Sequence, residues 1–235
     1  MIRIPTVTDW WELTREFPEY RRVSDAVLKD YGYLEIMKFI RANRSARVLE
    51  FGHGFSNRLF RMFESEFEMH GLDDDQGLHY FPEGDDWNAR HKRDLADACP
   101  RTAFHRGLLG GANPQGLEDA SFDLICSVSV LEELNAQIVQ KIFSHAHRLL
   151  KPGGCFMNSF DFPVAHAKMI PQYLQAQISA GFAFEGASRS VNFPDLQELL
   201  IENPTAVMLS YQGDQPEQRR YGGHWSTVVT AARKP

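Results

Sequence analysis

Two carboxylates and a pair of glycines are the residues of this chain whose spacing could do chemistry. A short apolar strand at Val48 and Leu49 ends in the acid Glu50, and the chain then turns through Phe51, Gly52, His53 and Gly54 toward Ser56 and Asn57. Glycines at these places let the backbone take positive φ and come close to a ligand, while a following helix points unpaired N–H groups at it. The turn therefore reads as a loop that cradles a nucleotide. Roughly twenty residues on, Asp73 ends a second apolar segment, where an α/β nucleotide-binding domain places the acid that holds both ribose hydroxyls. A carboxylate accepts two hydroxyl hydrogen bonds, and no other side chain does this as well.

The loop is ill suited to a dinucleotide. Asn57 stands where such loops carry a third glycine for close helix–strand packing, and Glu50 would repel a pyrophosphate at short range. A ligand with a cationic end suits Glu50 better.

Glu132, Glu133, Asp161 and His166 are the candidate general bases. Each also has a plain reading: Glu132 and Glu133 as charged residues of a first helical turn, where the helix dipole favours them, Asp161 as a loop cap, and His166 as an exposed loop residue. His145 and His147, two apart on a helix, point different ways and make a poor metal pair. Cys99, Cys126 and Cys155 show no metal or redox spacing, so no metal is expected.

The elements that must position these groups follow from hydrophobic period. Asp9 to Ala42 is helical in two pieces, with Trp10, Leu13 and Phe17 on one and Val23, Val27, Leu34, Met37 and Ile40 on the other. Trp10, Trp11 and Tyr31 or Tyr33 either contribute to a substrate pocket or fasten these helices to the body. Asn57 to Glu66 reads as the first crossover helix, and FEMHGLDDD as a strand ending at Asp73. Gly77 to Asp86 reads as a long loop, Trp87 to Ala98 as a helix stopped by Pro100, and RTAFHRG as a third strand. Phe122 to Val128 is an apolar β-rich run, and Leu131 to Leu150 a helix with Leu134, Ile138, Phe143 and Leu149 inward. The helix is expected to run to Lys151, with Pro152 ending it, Gly153 and Gly154 reversing the chain, and Cys155 to Ser159 forming the fifth strand. Ile170 to Gly181 and Pro194 to Ile201 are further helices, and TAVMLSYQ and STVVTAARKP suit an antiparallel pair at the end of the sheet.

Three blocks carry a resemblance. E-F-G-H-G-F-S resembles the first motif of the class I S-adenosylmethionine-dependent methyltransferases, S-F-D-L-I followed by V-L-E-E resembles that family's fourth-strand region, and R-L-L-K-P-G-G resembles its r-x-L-K-P-G-G block. With the acid at Asp73 the matches lie in family order from Val48 to Asp161, near half the chain. The resemblance implies an α/β, Rossmann-like, seven-stranded sheet, mostly parallel with an antiparallel last strand, with helices on both faces and extra N-terminal helices. Residues 1–45 would form a helical cap and 46–235 the cofactor-binding domain.

It also implies S-adenosylmethionine as cofactor. Glu50, Phe51, Gly52, His53 and Gly54 would wrap its methionine part, Asp73 would hold the ribose, and Asp74 would lie beside the adenine. Leu108 stands where many relatives carry an acid for the adenine amino group, which leaves that contact to a backbone N–H. Ser127 falls with these at a strand end, and Glu133 stands where the family often has His. Asp161, His166 and Glu133 are then the residues nearest a methyl acceptor. The implied activity is methyl transfer to an O, N, C or S nucleophile of a small molecule. The alternatives are a catalytically silent member of the fold that works as a binding partner and, on the shared strand–Gly–helix start, an NAD-dependent oxidoreductase.

Composition bounds the partners. The 235 residues, 43% hydrophobic, can bury one sizeable core. With 31 acidic against 25 basic residues the formal charge is −6, which argues against an extended nucleic-acid footprint. The N-terminus MIRIPTVTDWW lacks a signal-peptide core and no segment has the apolar length of a membrane span, so a soluble, cytoplasmic protein is expected.

Overall fold

Thr6 opens the first helix with a reciprocal cap: its Oγ1 accepts the Asp9 N–H at 3.1 Å while Asp9 Oδ2 accepts the Thr6 N–H at 2.9 Å. The computed structural model describes residues 1–20, 27–54, 56–74, 84–111, 117–163, 169–184, 209–211 and 223–235. The expected helix at 194–201 and most of the expected loop at 77–86 lie outside them, as does His166.

The elements run β1 (Ile2–Arg3), α1 (Val7–Glu16), α2 (Val27–Asn43), β2 (Arg47–Phe51), α3 (Arg58–Phe63), β3 (Glu68–Asp73), α4 (Gly84–Ala98), β4 (Ala103–Arg106) and β5 (Phe122–Val128). A 3₁₀ turn (Leu131–Glu133) leads to α5 (Ala136–Leu149), β6 (Leu150–Pro163), α6 (Ile170–Ser179), β7 (Ala183–Phe184), β8 (Leu209–Tyr211) and β9 (Gly223–Arg233). The strand order is β1-β9-β6-β5-β2-β3-β4, with β7 and β8 also paired to β9. Strands β2 to β6 pair parallel, and β9 lies antiparallel against β6. The mostly parallel sheet with an antiparallel last strand is as expected. The short β1 is an addition: residues 1–45 supply a sheet strand as well as helices, Ile2 pairing with Thr230.

Two cores follow from the alternation of side chains along buried strands. Val48, Leu124, Cys126 and Met157 face one side with Leu34, Met37, Ile40 and Phe60. Leu49, Phe51, Ile125 and Phe156 face the other with Ile142, Phe143 and Leu149. The chain winds outward from β2 through β3 to β4, then returns to place β5 on the other side of β2. A crevice must open beyond the carboxyl ends of β2 and β5, where the winding reverses.

Two expectations need correction. The helix after β5 does not start at Leu131: Leu134 is extended (φ −102°, ψ 151°), and Asn135 starts α5 by accepting the Ile138 N–H at 3.0 Å. The Asn side chain competes well for this orphan donor, so the helix begins behind it and leaves Glu132 and Glu133 in a separate turn. At the other end α5 stops at Leu149, and Leu150 already pairs with Phe122. A register shift between Phe122 and Leu124 absorbs the Pro152-Gly153-Gly154 segment, with Gly153 at φ +77°. Strand β6 then continues to Pro163, so Asp161 is a strand residue opposite Thr227 and not part of a following loop.

Candidate cofactor and acceptor site

The crevice is a cavity of about 820 Å³, within the usual range for small-molecule sites. The carboxyl ends of four strands contribute: Phe51, Gly52, His53 and Gly54 after β2, Leu72, Asp73 and Asp74 at β3, Gly107, Leu108 and Leu109 after β4, and Val128, Ser129 and Val130 at β5. Lys29 and Tyr33 from α2, Arg58 from α3, and Glu133 and Leu134 close the remaining wall.

Gly52 has φ +66° and donates its N–H to Leu72 O at 2.8 Å. A Cβ there would lie 2.6 Å from Val130 Cγ2, so backbone conformation and space both demand glycine. Gly54, at φ +54°, would meet nothing within 4 Å. Its N–H donates to Asp73 Oδ2 at 2.9 Å, which ties the loop to the acid at the end of β3. His53 is buried edge-on to the Phe60 ring, with centroids 5.5 Å apart, and serves to pack the loop.

Glu50 lies beneath the loop. It is 1% exposed, and Oε1 accepts the Tyr33 hydroxyl at 3.0 Å. Oε2 is buried without a hydrogen-bond partner among the described residues. Burial pushes its pKa up to about 8 against the opposing pull of the Tyr33 hydrogen bond and the Arg58 charge. Arg58 is itself held by the buried Asp30 at 3.0 Å, and Asp30 also accepts the Tyr20 hydroxyl at 2.7 Å.

Just beyond β5, Ser129 has φ +53° and donates to Asp161 Oδ2 at 2.5 Å. The Asp161 N–H donates to Glu132 Oε1 at 2.9 Å. Asp161 Oδ1 and Glu132 Oε2 are buried with no partner among the described residues. Both carboxyl groups are raised, chiefly by burial, and Glu132 further by the charge of Asp161.

Of the candidate cofactor residues, Phe51, Gly52, His53, Gly54, Asp73, Asp74 and Leu108 line the cavity, as does the candidate base Glu133. Glu50 and Asp161 stand one layer behind it, in contact with the lining residues Tyr33 and Ser129. Ser127 is wholly buried within β5 and outside the lining, one residue before the strand ends. Lys29, Arg58 and Ser129 were not singled out by sequence. No pattern announced them: Lys29 comes from a helix remote in sequence, Arg58 opens the helix after the glycine loop as one more charged residue of its first turn, and Ser129 depends on a left-handed backbone at a non-glycine residue. Tyr33 lines the cavity, whereas Trp10, Trp11 and Tyr31 do not. Among the described residues no cluster of His, Cys, Asp and Glu could hold a metal ion.

The sheet and crevice define a Rossmann-like methyltransferase fold. Residues 88–158 match a family model described as a methyltransferase domain. Among curated proteins none matches the sequence. A TehB-like S-adenosylmethionine-dependent methyltransferase from Corynebacterium glutamicum is similar in structure, with TM-score 0.52 and 16% identity over 95% of this chain and 96% of that one. A putative methyltransferase from Bacillus halodurans gives TM-score 0.55 at 12% identity over 86% and 98%. The [4+2]-cyclase SpnF gives 0.51 at 17% over 86% and 82%.

The partial match over residues 88–158 and the fold are both of the kind found in class I S-adenosylmethionine-dependent methyltransferases. S-adenosylmethionine is the cofactor of that class, and the residues present fit it. Asp73 lies on the cavity wall where sugar hydroxyls need an acceptor, and the orphaned Glu50 oxygen beneath the glycine loop is an acceptor in need of a donor, as an ammonium group would be.

Proposed function

We propose that this protein transfers the methyl group of S-adenosylmethionine to an O, N, C or S nucleophile of a small-molecule acceptor in the cytosol. One observation carries the small-molecule reading: the cavity of about 820 Å³ is lined by the glycine loop and Asp73 and also by the polar side chains of Lys29, Ser129 and Glu133. A formal charge of −6 gives no electrostatic reason to favour a polyanionic acceptor.

The cofactor supplies an electrophilic methyl on a positively charged sulfur, and its leaving thioether needs no proton. The chain's work is alignment and exclusion of water. Asp73 holds the ribose, Asp74 and the backbone at Leu108 lie at the adenine end, and the turn through Gly52 and Gly54 brings main-chain groups against the methionine part. Glu50 supplies negative charge beneath that turn. Glu133 and Asp161 are the candidate acids at the acceptor end, and His166 lies outside the described residues.

SpnF, a cyclase on a similar sheet, illustrates that fold alone does not fix activity, so a catalytically silent binding role is the second reading. A nicotinamide-dependent reaction is disfavoured by Asn57 at the third glycine position and by the antiparallel β9. A thermal-shift series with S-adenosylhomocysteine and with NAD tests all three. Stabilisation by S-adenosylhomocysteine together with conversion of S-adenosylmethionine in the presence of acceptors supports the proposal. Stabilisation without conversion supports the silent reading, and stabilisation by NAD alone overturns both.

A further inference from the structure

We propose that Ser129 is a catalytic hydroxyl that takes the proton of the methyl acceptor and hands its own to Asp161, so that the acceptor's nucleophilic atom is an O–H or N–H. This rests on the methyl-transfer reading above and names the acceptor chemistry that the same site would take.

Ser129 is the link between the cavity and a buried acid. It lines the cavity, whereas Asp161 does not. Its backbone is left-handed, at φ +53°, where a side chain is strained and glycine would not be. The turn is held by the Ser129 N–H, which donates to Ser159 O at 3.0 Å. Glycine could make that bond equally well, so the hydroxyl is what the serine adds. That hydroxyl donates to Asp161 Oδ2 at 2.5 Å.

Behind it the acceptor capacity is unmet. The Asp161 N–H donates to Glu132 Oε1, yet Asp161 Oδ1 and Glu132 Oε2 are both buried without partners among the described residues. Two neighbouring buried carboxyl groups do not both ionise readily, so Glu132 keeps a proton while Asp161 is the one that carries charge. Asp161, unlike Glu132, has side-chain donors and a cation beside it. Burial, and then the Glu133 charge, oppose ionisation of Asp161 and hold its proton affinity above the ordinary carboxyl value, while the hydrogen bonds of Ser129 and Thr227 and the Lys29 charge pull the other way; Tyr173 lies near Glu132.

In the step, a lone pair on the acceptor oxygen or nitrogen forms the new bond to the methyl carbon. The carbon–sulfur bond breaks with its electron pair left on sulfur. The acceptor's proton moves to Ser129 Oγ, and the serine's own proton moves to Asp161 Oδ2. One positive charge on sulfur and one negative charge on Asp161 disappear together, so no net charge is left in the closed site. A thioether acceptor has no proton to give and would make no use of this path.

Ser129→Gly removes the hydroxyl and relieves the backbone, which keeps folding out of the question, and Ser129→Ala is its companion. Carbon-13 carboxyl NMR on labelled protein, with Asp161→Asn for assignment, reads the proton path without turnover. Loss of the serine bond is expected to raise the proton affinity of Asp161 about tenfold, while S-adenosylhomocysteine binding by calorimetry stays as in wild type. With a panel of phenols, primary amines and thioethers, S129G is expected to lose about 100-fold or more in rate toward phenols and amines at neutral pH. That loss should shrink toward phenols once the pH exceeds their own pKa. An unmoved Asp161 titration, wild-type rates in S129G, or methylation of thioethers alone would overturn the inference. Wild-type protein that fails to bind S-adenosylhomocysteine would overturn the methyl-transfer reading itself. The NMR titration tests the Ser129–Asp161 link that the path requires even if no panel member is turned over.

Discussion

The Tyr33 hydroxyl donates to Glu50 Oε1 at 3.0 Å, which joins helix α2 to the acid at the end of β2 beneath the glycine loop. An N-terminal helix thereby becomes part of the proposed cofactor site, and the charge state of Glu50 depends on it. Tyr33→Phe should leave a second Glu50 oxygen unsatisfied and cost about 1–3 kcal/mol of stability, measured by urea denaturation. It should also weaken S-adenosylhomocysteine binding. A variant as stable as wild type with unchanged affinity would show that this contact does not support the site.

The raised pKa of Glu50, about 8, gives two pH dependences. An acid raised on folding binds its proton more tightly in the folded state, so its contribution to stability is complete below the unfolded value near 4.5 and is withdrawn as pH climbs toward 8. Glu50→Gln should remove this fall, which denaturation at several pH values would detect as a flatter profile. Binding of a cationic ligand has the opposite slope, because it prefers the ionised acid. Calorimetric affinity for S-adenosylmethionine should improve by up to about tenfold per pH unit as pH rises toward 8, and E50Q should lose this dependence. Affinity independent of pH in wild type would contradict the assigned role.

Gly52 and Gly54 separate strain from crowding. Both are left-handed, yet only Gly52 would drive a Cβ into Val130, at 2.6 Å. Gly54→Ala should cost only the left-handed backbone strain, about 1–2 kcal/mol, whereas Gly52→Ala should cost more and also push Val130 from the cavity wall. Adding Val130→Ala should recover part of the G52A loss but none of the G54A loss. Equal costs for the two glycine variants in thermal denaturation would be the contrary result.

Asp73 has two tasks, since it accepts the Gly54 N–H at 2.9 Å and lines the cavity. Asp73→Asn keeps one acceptor oxygen and should retain the loop, while Asp73→Ala loses both functions. S-adenosylhomocysteine affinity should fall in the order wild type, D73N, D73A, with the last down by about 100-fold, the order of losing two hydrogen bonds to a charged group. Equal affinity in D73N and D73A would remove the loop-tethering role.

The parallel strands, the glycine turn and Asp73 were legible in the sequence because each rests on local chemistry. Apolar runs mark strands, left-handed turns require glycine, and an acid ending the next strand stands at a set distance from the loop, where Asp73 lines the cavity. The start of α5 was misplaced because the apolar period continues through Leu131 and Leu134, and only the capping preference of Asn135 breaks it. The length of β6 was underestimated because Pro152 reads as a stop, whereas a register shift carries the strand past it. Ser129 and Lys29 were invisible for a different reason. Their place on the cavity wall depends on how α2 and β5 meet in space, which no spacing along the chain encodes. Ser127 seemed the strand-end residue by position, but the strand runs one residue further and the hydroxyl that lines the cavity is that of the next serine, Ser129.

The most direct test of the central claim, that the glycine loop and Asp73 hold S-adenosylmethionine, is calorimetric titration of S-adenosylhomocysteine into wild-type protein and D73A. One-to-one binding to wild type, with at least about 100-fold weaker binding to D73A, is the predicted result. No heat with the wild-type protein, or equal affinity in both, would contradict it.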